Sequence, residues 1–392
     1  MKNKFDIPFS GRSIAYTPEE IDLVSSVMKN SQTLTQGENL DNFERKFKDY
    51  LGCEHAFALC NAASALELAA QLCQFSQGEE VIIPSHTYTA SAYPFIKRGA
   101  KIVWADIDPD TRVINKESVE TIITNKTKAI VVVHLYGYTA NMDEILELAK
   151  KHNLIVIEDA AQAIGTELRG IKAGNFGDIG VFSFQSHKNI TTLGEGGVIT
   201  LKDEQMAKLI PLLRHNGHIS FENQEEYWQP AMSNVVLPKL NKKSLMPNNF
   251  CLGEVECALG SALLDRVDTI NEFKRNRALT FIDSFSGNLP LKFHREESLR
   301  HNYHLLVAEI TNGERDNFIR KMAYQEKIQC VVQYYPLNRY DFYKDMGSGE
   351  ANCPNADNFF DNMVSFPFHH SLTDEEIVTI IESTHRVLED II

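Results

Sequence analysis

Between about residues 50 and 200 the chain alternates short β-branched runs with amphipathic stretches, and this alternation limits the possible folds more than any other feature. Ala56–Leu59, Glu80–Ile83, Lys101–Trp104, Ala129–Val133, Ile155–Ile157, Ile179–Ser183 and Gly197–Thr200 read as seven buried strands. Ala65–Cys73 and Asp143–His152 repeat their apolar residues at helical spacing. Strands and helices that alternate at this spacing predict an α/β fold, a mainly parallel seven-stranded sheet with helices on both faces. Asp106–Thr111, DIDPDT, is a turn cluster.

The chain has 392 residues, more than one hydrophobic core usually serves, so two domains are expected. The predicted division is 1–265, an N-terminal arm and the large domain, and 266–392, a smaller α+β domain. A helical stretch at Val255–Arg275 leads from one to the other. The second part mixes strands at Tyr303–Ile310 and Cys330–Gln333 with helices at Glu314–Gln325 and Asp374–Glu389, the last capped by Thr373. Gly217–Pro247 is the least periodic region and reads as a long loop or lid. Its Trp228, Lys239, Lys242 and Lys243, with His215, His218 and His304, are candidate pocket residues.

Composition removes several function classes. The formal net charge of −14 makes the chain a poor coat for nucleic acid or an anionic membrane. No run of 18 apolar residues is present, and Met1–Ser25 lacks the apolar core of a secretory leader. Seven cysteines, an odd number with no C-x-x-C, fit a reducing cytoplasm and suggest neither a disulfide framework nor a zinc cage. No metal is expected.

Four segments carry chemistry, each at the end of a predicted strand. Lys188 lies in FSFQSHKNITTLGEGG, after a strand and before a glycine-rich turn. A lysine enclosed there loses its proton readily and can attack an aldehyde. Asp159 ends the strand of VIEDAAQAIG, where an unpaired carboxylate is costly and a pyridinium N–H would suit it. Ala62 and Ala63, in CNAASALELAA, let backbone N–H groups approach an anion at a helix start, and Ser183 could add a hydroxyl. Tyr88, in PSHTY, could stack on a flat ring. Singly, each has an ordinary structural explanation. Their convergence on successive strand ends points to a site for a phosphorylated pyridine aldehyde.

These residues resemble those of the DegT-type family, pyridoxal-phosphate (PLP)-dependent sugar aminotransferases with the aspartate-aminotransferase-like fold. The resemblance runs through Leu34–Phe47 (LTQGENLDNFERKF), Val133–Gly137 (VHLYG), Glu158–Gly165 (EDAAQAIG), Gly177–Lys188 (GDIGVFSFQSHK), Gly194–Gly197 (GEGG), Asn249–Gly260 (NFCLGEVECALG) and Ser365–Ile377 (SFPFHHSLTDEEI). It implies that Lys188 holds the cofactor covalently and shuttles the substrate proton, and that Asp159 binds the pyridine nitrogen. Gln162 would lie against the ring hydroxyl and Tyr88 on the ring. Ala62, Ala63 and Ser183 would take the phosphate. Asn249 would reach the phosphate of a partner subunit, which implies a homodimer. L-glutamate is the implied donor and a carbonyl sugar the acceptor.

Three departures from the family pattern lie near this site: Ala62-Ala63 in place of Gly-Thr, an additional Leu193, and Cys251 where an arginine is common. Ser64 could replace the missing hydroxyl. SHKNITTLGEGG resembles the members that act on 8-oxo-3,8-dideoxy-manno-octulosonate, a lipopolysaccharide sugar, which becomes the expected acceptor. The alternative is a nucleotide-linked 3- or 4-keto-6-deoxy sugar. A dehydratase of the family would carry His in place of Lys188. A PLP lyase and a non-catalytic PLP-binding regulator are the readings from other classes.

Overall fold

The computed structural model describes residues 5–11, 14–219, 234–285, 289–294 and 301–391. Its centre is one seven-stranded sheet: β1 (His55–Leu59), β2 (Glu80–Pro84), β3 (Lys101–Ala105), β4 (Thr127–Val133), β5 (Ile155–Asp159), β6 (Ile179–Ser183) and β7 (Gly197–Leu201). The order across the sheet is β1-β7-β6-β5-β4-β2-β3. From β3 to β6 every pairing is parallel. β7 alone runs against its neighbours, paired antiparallel with both β1 and β6. All seven predicted strands form, and β2, β6 and β7 are buried along their whole length, as a sheet covered on both faces requires.

The flanking helices include α1 (Pro18–Asn30), α2 (Glu38–Leu51), α3 (Ala62–Leu72) and α4 (Met142–His152). α5 (Glu254–Leu264) and α6 (Val267–Asp283) follow. The sequence predicts one helix over Val255–Arg275, but the chain breaks at Asp265–Arg266, where Arg266 has φ −125° and ψ 12°. α6 begins among the core residues packed behind the large sheet, with Val267 and Ile270. It ends in a second core with Ala278, Phe281 and Ile282. That second core surrounds an antiparallel sheet of β8 (Leu291–Phe293), β9 (Leu306–Ile310) and β10 (Met363–Phe366). α7 (Arg315–Tyr324) and α8 (Asp374–Glu389) cover it.

Two predicted strands need correction. The stretch from Tyr303 becomes β9 only at Leu306, because Tyr303 sits at φ +45°. Cys330–Gln333 makes a single bridge, with Val331 and Ser365 exchanging backbone hydrogen bonds. The chain then leaves the sheet, Gln333 giving its carbonyl to the Tyr136 hydroxyl. Of the expected lid, the described part forms two short antiparallel pairings, His218–Ile219 with Asn234–Val235 and Lys239–Leu240 with Lys243–Ser244. Trp228 lies outside the described residues. Among the described residues no helix is long and apolar enough to cross a membrane.

Candidate active site

The carboxyl ends of β1, β2, β4, β5 and β6 share one edge of the sheet, and a cavity of about 520 Å3 opens there. Ligands bind at this edge in open α/β sheets. Ala62, Ala63, Tyr88, Asp159, Gln162, Ser183 and Lys188 all line it.

Side chains alternate along a strand, and β5 uses this to part its two acids. Glu158 turns into the core, fully buried. It accepts from the backbone N–H groups of Gly174 (2.9 Å), Phe176 (2.7 Å) and Gly177 (2.6 Å) and lies 2.8 Å from His134 Nε2. Asp159 faces the cavity, 5% exposed, and accepts from Ser91 Oγ (2.6 Å) and the Ala161 N–H (3.1 Å). Neither donor carries charge, so this carboxylate retains the capacity to hold a cation. Ser91 is in turn 3.1 Å from Thr87 Oγ1.

Lys188 stands in the turn after β6, its N–H bonded to the Gln185 carbonyl. Burial pushes its ammonium down to about 8, against the opposing pull of Asp159 and then Glu195. An amine that gives up its proton near pH 8, in one cavity with a carboxylate, is the pair that an aldehyde with a basic ring nitrogen needs.

The anion end is built at α3. Asn61 caps the helix, accepting from Ser64 N–H at 2.8 Å. That leaves the N–H groups of Ala62 and Ala63 at the helix start without an acceptor among the described residues, where the helix dipole favours an anion. β7 approaches this turn closely: a Cβ on Gly197 would lie 2.5 Å from the Asn61 carbonyl carbon and 2.6 Å from Ala62 N. Ser183 Oγ accepts only a long bond, 3.4 Å, from Gln185 N–H. Ser64 does not serve: it is buried, and its hydroxyl donates to Asn61 Oδ1 at 3.0 Å.

Gln162 lies on the ring side, accepting from Tyr136 N–H at 2.8 Å and donating to the Tyr334 hydroxyl at 3.3 Å. Tyr88 is 56% exposed, its ring 5.9 Å from that of Tyr334. Together these residues fit pyridoxal phosphate: a helix start and hydroxyl for the phosphate, a lysine for the aldehyde, an acid for the ring nitrogen.

The sequence reading missed Tyr334, Ser91 and Lys274, which also line the cavity. Tyr334 follows a segment expected to be a strand. Ser91 follows an unremarkable run of hydroxyl residues. Lys274 sits in a charged helix that reads as solvated. Of the suggested pocket residues His304 lines the cavity, whereas His215, His218, Lys239, Lys242 and Lys243 do not. Asn249 is exposed and outside it, bridged to His215.

Known proteins agree with this chemistry. Residues 15–385 match the model of the DegT/DnrJ/EryC1/StrS aminotransferase family. The GDP-perosamine synthase of Caulobacter vibrioides is 34% identical over 375 residues, covering 94% of this chain and 95% of the relative. The UDP-4-amino-4,6-dideoxy-N-acetyl-beta-L-altrosamine transaminase of Campylobacter jejuni is 30% identical, covering 95% of each. The sugar aminotransferase Spr1654 of Streptococcus pneumoniae, solved in PLP and PMP forms, is 28% identical. Its PMP form superposes with a TM-score of 0.88 over 99% of this chain and all of that one. A lysine and an aspartate in one cavity, a helix start free for a phosphate and a match over nearly the whole length lead to one conclusion: the chain belongs to the DegT/DnrJ/EryC1/StrS aminotransferase family and is a PLP-dependent transaminase.

Proposed function

We propose that the protein moves the amino group of L-glutamate to the keto group of a nucleotide-linked deoxy sugar, for an amino sugar of a surface polysaccharide. The observation that carries the reaction type is Lys188, with its ammonium pushed down to about 8, in one cavity wall with Asp159. The acceptor class rests on the relatives, since the Caulobacter and Campylobacter proteins are named for GDP- and UDP-linked sugars. They favour a nucleotide-linked acceptor over the octulosonate suggested by the lysine segment. Lys188 in place of the dehydratase histidine favours amino transfer within the family.

In this reading Lys188 would hold the cofactor and would then take and return the proton of the substrate carbon. Asp159 keeps the ring nitrogen protonated, and Ser91 and the Ala161 N–H hold that carboxylate in place. Gln162 orients the ring hydroxyl, Tyr88 covers the ring, and Ala62, Ala63 and Ser183 anchor the phosphate. When bound, PLP supplies the electron sink that makes the substrate carbon acidic. Glutamate leaves as 2-oxoglutarate and its nitrogen passes to the sugar carbonyl. Asn249, exposed on the same chain, completes the phosphate site of a second protomer, so the working unit is a homodimer. The division at 265/266 falls just before α6, the helix that joins the two cores, and the cytoplasm holds the reaction.

The test is the absorbance spectrum of PLP-loaded protein before and after glutamate, for the wild type and Lys188→Ala. The wild type is expected to show a protein-linked cofactor band that glutamate abolishes, and the variant to lack it. Because the neutral amine reacts, wild-type loading should quicken through about pH 8 and then level off, whereas a solvated lysine would keep accelerating to about pH 10. A wild type without the band ends the PLP reading. A band that ignores glutamate ends the donor assignment. Turnover of a nucleotide-linked 4-keto-6-deoxy sugar against the free octulosonate then decides the acceptor.

A further inference from the structure

One group in the cavity wall has no part in that chemistry. Lys274, on α6, is 6% exposed and lines the cavity. Its ammonium donates to Asn189 Oδ1 at 2.9 Å and to the His304 carbonyl at 3.0 Å, both neutral acceptors. It also lies 5.3 Å from the centre of the Phe368 ring. An ammonium has three N–H donors, and among the described residues the third has no acceptor. No carboxylate pairs with it there either. The two acids of the cavity wall, Asp159 and Glu195, act on Lys188. Burial, unopposed by any acidic neighbour, pushes Lys274 down to about 7.

A buried unpaired ammonium is costly. If Lys274 only tied α6 to the chain at His304, a neutral donor would make the same two bonds without that cost. Its surroundings sharpen the point. His304 lines the cavity beside it and is held neutral by burial and by Lys188, Lys274 and His187. His369 also lines the cavity and is lowered by burial, with the Pro8 carbonyl and Glu376 opposing and Lys274 and Arg277 adding to the shift. In a chain of net charge −14, the lining of this cavity holds two lysines and three histidines against two acids, Asp159 and Glu195.

We propose that Lys274 marks a carboxylate subsite, in the same cavity as the phosphate cradle at α3, in which a carboxylate of the amino donor or of an acidic sugar acceptor supplies the missing partner. The inference rests on the aminotransferase reading of the cavity and adds to it the charge that the substrate must present. A carboxylate arriving there holds Lys274 in its ammonium form and makes with it a buried pair with charge-assisted hydrogen bonds. Asn189, one residue from Lys188, would couple the occupied subsite to the reacting lysine.

The experiment uses PLP-loaded protein and two unreactive probes. Glutarate has the donor's two carboxylates and no amine, and galacturonate is an acidic sugar. Binding of each is measured by calorimetry to the wild type, Lys274→Gln and Lys274→Arg. Gln keeps a donor for Asn189 and His304 and loses the charge; Arg keeps the charge. Loss of one charge-assisted bond should weaken at least one probe about tenfold or more in Lys274→Gln, and Lys274→Arg should stay within about threefold of wild type. Loss confined to glutarate assigns the subsite to the donor, and loss confined to galacturonate assigns it to the acceptor. If Lys274→Gln does not fold, Lys274→Met, close in volume, takes its place. If both probes bind the uncharged variant as they bind the wild type, or neither binds the wild type, the proposal is overturned. Since neither probe turns over, that failure is separate from failure of the aminotransferase reading, which the spectrum with glutamate decides.

Discussion

Glu158 and Asp159 are adjacent acids with unrelated duties. Three backbone N–H groups converge on Glu158, and no water reaches it. Glu158→Gln puts an NH2 group where an acceptor is required and leaves at least one of those donors unsatisfied. It should cost about 2–4 kcal/mol of stability, read as a lower midpoint in urea, with the cofactor band intact in the folded fraction. The sequence reading singled out Asp159 of this pair and gave Glu158 no part. The division follows from the phase of β5 relative to the sheet faces, which neighbouring strands set. Lys188, Ala62, Ala63 and Ser183 were legible because each sits at the end of a strand that the apolar pattern reveals. Lys274 was not, since FKRNR reads as a solvated face and only the packing of α6 beneath Phe368 and His304 buries its lysine.

At the scale of elements, the start of α3 depends on a contact with a distant strand. Gly197 opens β7 against the Asn61–Ala62 peptide, with no room for a methyl group. Gly197→Ala should push the helix start away from its strand and weaken PLP binding about tenfold or more, measured by titrating the apoprotein. Unchanged affinity in that variant would show that the α3 N–H groups do not hold the phosphate. The elements themselves were largely visible in the sequence. Seven strands carried their pattern on both faces, and Asp374–Glu389 announced itself by its cap, Thr373 accepting from Glu376 N–H. The failures came where tertiary contacts override local preference. The helix break at Arg266 lets Arg266 reach Glu20 at 2.7 Å, and Gln333 leaves the small sheet for the cavity.

For the whole molecule, two ties join distant parts of the chain. Arg112, 2% exposed, pairs with Glu309 of β9 and lies 4.9 Å from the centre of the Phe359 ring. The second tie is the proposed exchange of Asn249 between protomers. Mixing Lys188→Ala with Asn249→Ala chains, then unfolding and refolding them together, should restore about a quarter of wild-type activity. A hybrid dimer puts both lesions in one site and leaves the other whole. Chains that mix and stay inactive would place Asn249 within its own subunit's site. The position of β7 also bears on how the protein is made. Among the described residues β1 has no partner in the sheet other than β7, and Cys60 N–H bonds to the Phe250 carbonyl. The N–H groups of Gly37, Asn39 and Leu40 at the start of α2 await the Glu254 carboxylate. While the ribosome is still short of residue 197, the first strand waits with an open edge, and α2 waits longer still. The earliest-made quarter of the large domain is therefore among the last to be secured, and slow translation between residues 60 and 250 lengthens the interval in which a chaperone must guard it.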